Sequence, residues 1–247
     1  MALYALGDLH LAFQVKGKSM DSLGPVWKHH EEKIARNCRE LVKPEDTLVL
    51  TGDHSWGRKL NQCTKDLAFI EALPGRKILL RGNHDMFWDT AKTGKLNALF
   101  QGRLSFLQNN FYAYGDYALV GTKGFTFEGP FYLDRYGRIM GWDQEKAAHA
   151  EKLVVREARR LEISFAAAKK AGYHKFIMFL HYPPTNILQQ DSIFTQLAEE
   201  NGVEQVVYSH CHGKEQFHDS HLGDYHGIQY HLVSGDYLDF RPIKLLD

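Results

Sequence analysis

Five short polar clusters, each directly after an apolar run, hold side chains that could do chemistry. They are Asp8-Leu9-His10, Gly52-Asp53-His54, Gly82-Asn83-His84-Asp85, His181 and Ser209-His210-Cys211-His212. Seven of these side chains could bind a metal ion, namely Asp8, His10, Asp53, Asn83, His181, His210 and His212. A mixed set of carboxylate, imidazole and amide ligands suits manganese, iron or zinc better than calcium. Because one ion takes roughly four to six ligands, the set predicts two divalent transition-metal ions that share a carboxylate.

The spacing within two clusters decides which side chains face the same way. Asp8 and His10 stand two residues apart, as do His210 and His212. Residues at this spacing share a face at an extended strand end, and the residue between them points to the opposite side. We therefore predict that His210 and His212 bind metal, while the Cys211 thiol packs into the core as a small hydrophobe.

The elements that must position these clusters can be read from the apolar periodicity. Apolar runs at 3–6, 47–50 and 77–80 predict strands, and helical spacing over 27–42 and 63–73 predicts the helices between them. This alternation is typical of a mostly parallel sheet, where polar side chains just past the strands' carboxyl ends converge. We also predict paired strands around Gly115-Asp116, a helix over 143–171, and strands at 176–180, 206–208 and 228–233.

Composition limits the classes of protein. The chain has 247 residues, 30 Lys plus Arg against 30 Asp plus Glu, and no overall basic charge of the kind that nonspecific nucleic-acid binding uses. Its three cysteines form no CxxC pair, which argues against a disulfide framework or a zinc ribbon. The start MALYALGDLH is too short for a signal-peptide core, and no apolar run reaches the length of a membrane span. We expect a single cytoplasmic domain over residues 1–247.

The order Asp-x-His, Gly-Asp, Gly-Asn-His-Asp, His and x-His-x-His resembles the calcineurin-like metallophosphoesterase superfamily over residues 7–213. The resemblance implies an α/β fold, a four-layered αββα sandwich with a mixed sheet core. It also implies that one metal is held by Asp8, His10, Asp53 and His212, with Asp53 bridging to a second metal. Asn83, His181 and His210 would complete that second site. His84 would be the catalytic histidine that does not bind metal.

Two positions depart from the superfamily's usual pattern. Ser209 stands where a glycine usually precedes the last His-x-His, and this small residue is compatible with an intact site. Trp56 stands where the protein Ser/Thr phosphatases have an acidic residue, three positions after Asp53. This second departure argues against a protein phosphatase. The stretches GDHSWGR and RGNHDMFW instead resemble uncharacterised microbial predicted phosphohydrolases of the superfamily.

The function expected from these residues is a metal-dependent phosphoesterase that acts on a mono- or diester of a small molecule. A hydroxide that bridges two metal ions would attack phosphorus in line. Asn83 would hold a phosphoryl oxygen, and His84 would protonate the departing oxygen. A nuclease is a second possibility, against which the neutral net charge counts. A non-catalytic scaffold on the same fold is a third, against which the complete ligand set counts. The oligomeric state stays open.

Other polar residues are weaker candidates. His54 could support Asp53 or merely pack, and the tail histidines 218, 221, 226 and 231 favour a surface hairpin over a metal site. The loop over residues 121–142 carries Lys123, Arg135 and Arg138 among aromatic residues. It could wall a substrate pocket, or it could be held over the sheet by its own aromatic side chains.

Overall fold

The structure is a computed structural model that describes residues 1–125, 132–133, 139–140 and 144–247. The chain divides into two compact units, of which unit 1 consists of residues 1–107 and 233–247 and unit 2 of residues 108–232. That residues 1–247 form a single domain stays a prediction.

The described residues form thirteen strands and six α-helices. The strands are β1 Leu3–Leu6, β2 Thr47–Leu50, β3 Arg76–Leu80, β4 Ser105–Leu107, β5 Tyr112–Tyr114, β6 Tyr117–Thr122, β7 Tyr132–Leu133, β8 Ile139–Met140, β9 Lys175–Leu180, β10 Val203–Tyr208, β11 Gly223–Tyr225, β12 Ile228–Leu232 and β13 Ile243–Leu246. The helices are α1 His30–Leu41, α2 Thr64–Glu71, α3 Thr93–Phe100, α4 Gln144–Lys170, α5 Ile193–Glu200 and α6 Gly213–Asp219.

Unit 1 is built on a five-stranded sheet with the order β13-β1-β2-β3-β4. Strands β1 to β4 are parallel, and β13 pairs antiparallel with β1. Leu48 and Leu50 of β2 share one apolar core with Ile34 of α1 and with Leu67 and Ile70 of α2. The parallel order places the residues that follow β1, β2 and β3 at one edge of the sheet.

The first helix is shorter than the spacing predicts. Helix α1 begins at His30 rather than Trp27, because Pro25–Trp27 forms a separate 3-10 turn. His29, which precedes the helix, has a left-handed backbone with φ 52°. The Trp27 side chain nevertheless lies in the core of unit 1, where the helical pattern placed it.

Unit 2 is built on a six-stranded sheet with the order β11-β12-β10-β9-β6-β5. The four central strands are parallel, and both edge strands pair antiparallel. Phe165 of α4 packs in the same core as Val206 and Tyr208 of β10. The hairpin of β5 and β6 turns at Gly115-Asp116, and α4 matches the predicted helix over 143–171 except at its ends.

The prediction of an α/β fold with mixed sheets is confirmed, because each of these two sheets combines parallel and antiparallel pairs. The sequence interpretation missed α3, α5, α6, β4 and β13, and it treated the segment that contains β7 and β8 as a loop. In the described part of the chain, every helix is too short or too polar to cross a membrane.

Candidate metal centre

Three predicted ligands stand where strands of unit 1 end. Asp8 and His10 follow β1, and Asp53 follows β2, so the parallel pairing of β1 with β2 brings the two segments side by side. The backbone N–H of Asp8 donates to the carbonyl of Gly52 at 3.1 Å, and that of His10 donates to the carbonyl of Asp53 at 2.8 Å. The His10 Nε2 atom lies 3.7 Å from the Asp53 Oδ2 atom.

These three ligands have strained backbones. Their φ angles are 56° at Asp8, 44° at His10 and 51° at Asp53, which is the left-handed region that side chains other than glycine rarely adopt. Such a conformation costs about 1–3 kcal/mol per residue and persists only where the surrounding structure imposes it. All three side chains are also almost completely buried. The fold therefore places these side chains at this edge at a cost in stability.

Gly82 provides space for the Asp53 carboxylate. A Cβ atom at residue 82 would lie 2.1 Å from the Asp53 Oδ1 atom and 2.2 Å from its backbone nitrogen. Only glycine lets the loop after β3 come this close to the loop after β2. The same loop also forms a hydrogen bond to this carboxylate, in which the His84 N–H donates to Asp53 Oδ1 at 2.8 Å.

Asp85 connects the loops that carry these ligands. Its buried carboxylate accepts hydrogen bonds from the backbone N–H groups of Gly82 at 2.7 Å, Asp53 at 3.0 Å and His54 at 2.9 Å. The Nδ1 atom of His54 lies 2.9 Å from Asp85 Oδ2. Sequence reasoning assigned no role to Asp85 and left His54 open. The only signal was the aspartate at the end of Gly-Asn-His-Asp.

Electrostatics agree with an ion pair between Asp85 and His54. Burial alone would raise the pKa of Asp85, but His54 and the backbone donors outweigh it and hold that pKa below its usual range. Burial would lower the pKa of His54, and the Asp85 charge outweighs it and raises that pKa. Burial and the Asp85 charge raise the pKa of Asp53 to about 6. A cation beside Asp53 would offset this unfavourable environment.

His84 is positioned by an aromatic contact. Its ring centroid lies 4.2 Å from that of Trp56, which in turn stacks on His10 at 5.2 Å. The Lys18 ammonium lies 4.6 Å from the Trp56 ring centroid. Trp56 thus occupies the space beside His84 with an apolar ring instead of the acid expected in protein Ser/Thr phosphatases.

Unit 2 contributes a second set of histidines. His181 follows β9, and His210 follows β10 with a strained φ of 73°. The His210 Nδ1 atom lies 3.2 Å from the His181 Nε2 atom, a separation that two nitrogens bound to one ion at about 2.1 Å can have. The other ring nitrogen of His181, Nδ1, lies 3.3 Å from the Ser209 hydroxyl. Ser209 therefore supports His181 from behind, as hydrogen-bonding partners of metal-bound histidines do.

The backbone of this segment is not extended as the spacing argument assumed, because His210 has a left-handed φ of 73°. Cys211 is buried and belongs to the apolar core of unit 2, so the prediction that its thiol packs inside is confirmed. The His210 and His212 ring centroids are 6.5 Å apart. The His212 N–H donates to Gln216 Oε1 at 2.7 Å, which anchors the start of α6.

The weaker candidates of the sequence analysis are the tail histidines and the basic residues of the loop over 121–142. His226 occupies the turn of the hairpin of β11 and β12, whereas His218 lies on α6 and His221 is buried against Tyr225 and Tyr230. The buried Lys123 has its ammonium 4.7 Å from the Tyr182 ring centroid. Arg135 and Arg138 lie outside the described residues, whereas β7 and β8 of the same segment pair antiparallel.

Both units therefore offer side chains that could hold a metal ion: Asp8, His10 and Asp53 in unit 1, and His181, His210 and His212 in unit 2. Asn83 follows β3 at the same sheet edge as Asp8 and Asp53. Each predicted site residue thus stands at or just past the end of a strand, within its own unit.

Comparisons with known proteins agree on fold and family. A family model described as calcineurin-like phosphoesterase matches residues 1–214. A comparison with curated protein sequences finds no significant match.

Among solved structures, the chain is similar to phosphopantetheinyl hydrolase from Mycobacterium tuberculosis, with 16% identity, coverage of 99% of this chain and 95% of that one, and a TM-score of 0.56. It is also similar to a protein of unknown function from Aquifex aeolicus, with 17% identity, 98% and 95% coverage and a TM-score of 0.51. At such identities, these structures support the fold alone. The predicted fold class of the metallophosphoesterase type is confirmed.

Proposed function

The chain belongs to the calcineurin-like phosphoesterases, and on that premise we propose that it is a phosphohydrolase with a centre of two divalent transition-metal ions. Its substrate is a mono- or diester of a small molecule. Nucleic acid is a less favoured substrate, because the formal net charge is zero.

The observation that carries this proposal is the strain at the predicted ligands. Asp8, His10, Asp53 and His210 are four of the eleven non-glycine residues with positive φ in the described part of the chain. Backbone strain of this kind clusters at functional sites, where the surrounding structure over-determines it. Strain at four of the seven proposed ligands favours a functional centre over a scaffold on the same fold.

The donor set fits manganese, iron or zinc. We assign Asp8, His10, Asp53 and His212 to one ion, and Asn83, His181 and His210 to the other. Asp53 serves both ions. Its burial beside the Asp85 carboxylate is an environment that favours bound positive charge. When bound, such ions stabilise the negative charge on phosphoryl oxygens and lower the pKa of the water that they bind.

The other steps belong to the protein's own side chains. The Asn83 amide N–H donates to a phosphoryl oxygen as negative charge builds there. Hydrolysis breaks the bond between phosphorus and the alcohol oxygen, and a water oxygen takes the alcohol's place on phosphorus. We assign His84 to protonate the departing alcohol oxygen. Its Nε2 atom lies 4.0 Å from Asp53 Oδ2, so it stands beside the proposed centre.

Metal content and activity test the proposal together. Elemental analysis of metal-replete protein should find close to two transition-metal ions per chain, and the protein should hydrolyse aryl phosphate mono- or diesters. Asp53→Asn keeps the size of the side chain but removes the shared charge, so both ions should be lost. Asp116→Asn, at an exposed hairpin turn, is the matched control and should keep both.

Other outcomes would count against the proposal. Metal-replete protein that binds at most one ion per chain contradicts the two-ion centre. Two bound ions without hydrolysis of any ester favour the scaffold alternative, and cleavage of DNA or RNA in preference to small esters favours the nuclease.

A cytoplasmic location stays a prediction. All three cysteines fall within the described residues, where they are buried thiols rather than disulfides, as in a reducing compartment.

A further inference from the structure

A cavity of about 160 Å³ lies within unit 2, directly beside His210. One wall is the loop after β9, and the other runs from His210 through α6 to Ser220. Its lining is mostly apolar and includes Pro183, Ile187 and Cys211. Because His210 forms part of this wall, any group bound at that histidine would have the cavity as its immediate neighbour.

The polar side chains in the wall already bind other parts of unit 2. Asn186 donates to Gln190 Oε1 at 2.7 Å and accepts from the Leu188 N–H at 3.0 Å. Gln216 accepts from the His212 N–H at 2.7 Å, and the Ser220 hydroxyl donates to the Gln216 carbonyl at 2.7 Å. These bonds hold the walls in place and turn polar atoms towards the protein.

A carboxylate at the wall excludes negative charge. Asp219 lines the cavity, its side chain is 31% exposed, and its Oδ1 atom lies 3.2 Å from the Nδ1 atom of His218, which offsets its charge only when His218 is protonated. An anionic group inside would therefore meet like charge and lose hydration, both of which are unfavourable. The cavity thus suits a neutral group, and a phosphate group would stay outside it.

The cavity is partly open to solvent, so its volume limits only the part of the neutral group that lies inside it. A fully enclosed apolar cavity of about 150 Å³ binds benzene in another protein. Resting on the proposed function, we propose that this cavity binds the organic group of the phosphoester, and that this group is compact, uncharged and apolar, about the size of a benzene ring. The phosphoryl group would stay at His210, outside the cavity.

Two esters with leaving groups of similar basicity test the proposal. Benzyl and ethyl phosphate differ mainly in apolar size, and each can be offered as a monoester and as a methyl diester. For metal-replete protein, kcat/KM should be at least about tenfold higher for the benzyl ester, as expected when an apolar group fills a matching pocket. A second readout needs no turnover. It is the binding of 4-fluorobenzyl alcohol, which is measured by the broadening of its fluorine NMR line.

Variants at Ile187 change the cavity in opposite directions. Ile187→Trp should fill it, bring the benzyl-to-ethyl ratio close to one and abolish the line broadening. Ile187→Ala should enlarge it and shift the preference from benzyl towards the bulkier naphthylmethyl ester. Leu188→Trp is the control, because Leu188 is 39% exposed and is not part of the lining. This variant should keep both the ratio and the broadening of the unmodified protein.

The outcomes separate the two levels of the proposal. Hydrolysis of the esters with a benzyl-to-ethyl ratio near one, or with a ratio that neither Ile187 variant changes, overturns the apolar subsite and leaves the phosphohydrolase intact. Hydrolysis of none of the esters overturns the proposed function, and the subsite with it.

Discussion

His84 differs from its neighbours in how far solvent can reach it. Its side chain is 36% exposed, against 1% for Asp53. A buried side chain beside an ion is suited to binding that ion, whereas a proton donor must reach a substrate that enters and leaves. Exposure therefore separates His84 from the buried Asp8, His10, Asp53 and His181, whereas Asn83, His210 and His212 are half-buried as His84 is.

Replacement of His84 tests this separation. His84→Asn should keep both metal ions and lower kcat by about 10²–10⁴-fold, the usual loss when a general acid is removed. The loss should be smaller for p-nitrophenyl esters, whose leaving group needs little protonation, than for alkyl esters. We would measure kcat for both ester types by stopped-flow or steady-state kinetics. The metal content of the same sample would be measured alongside. A variant that loses one ion, or is equally slow on both esters, contradicts the proton-donor role.

At the scale of elements, the strand ends could be predicted and the contacts between their loops could not. The clusters after β1, β2 and β3 were readable, because apolar runs that stop at Gly-Asp or Gly-Asn are local signals. The ion pair between Asp85 and His54 joins residues 31 positions apart, and no local sequence pattern predicts it. Helices α2, α3 and α5 each have only eight residues, and of these only α2 was predicted, because Pro74-Gly75 marks its end and strands β2 and β3 flank it.

Gly82 offers a test of how closely these loops must approach. Gly82→Ala should destabilise unit 1 by about 1–3 kcal/mol, as overpacking does, and weaken metal binding, because the added Cβ displaces Asp53. Gly94→Ala is the control in α3, where an added Cβ meets no atom within 4 Å. That change should be neutral or stabilise the helix by up to about 1 kcal/mol. Urea unfolding and metal titration of both variants make the comparison. Equal behaviour of the two variants would show that the close approach is not required.

Asp46 gives unit 1 a predictable response to acid. It accepts hydrogen bonds from the Ala2 N–H at 2.6 Å and the Lys43 N–H at 2.8 Å. Burial would raise the pKa of Asp46, but these backbone donors outweigh it and lower that pKa. A lowered pKa in the folded state means that the charged form stabilises the protein above the unfolded pKa near 3.8. This stabilisation is lost as the pH falls through the folded pKa.

Asp46→Asn should therefore reduce the free energy of unfolding by about 1–2 kcal/mol at pH 7, since both bonds are made to a charged group. The difference from the unmodified protein should shrink as the pH falls from 5 to 3. Urea unfolding across that range measures it, and Glu45→Gln, at the exposed neighbouring position, is the control. A difference that stays constant with pH would mean that the Asp46 charge contributes nothing.

At the scale of the whole molecule, local patterns predict the composition of each unit better than its boundaries. The alternating first half and strands β9, β10 and β12 were predicted, because each has its own apolar period. The return of residues 233–247 to unit 1 was not, since β13 pairs with β1 across almost the entire sequence. Pairing at such a distance depends on which sheet edge remains available, and a sequence window contains no information about that.

This return of β13 has a consequence for synthesis. Unit 2 is one continuous segment, so all of its strands leave the ribosome before Ile243–Leu246 do. Strand β1, made at the start, has no neighbour on its outer side until those four residues emerge. A nascent chain stalled before them would expose the N–H and C=O groups of that edge, which is where another unfinished chain could pair and aggregate.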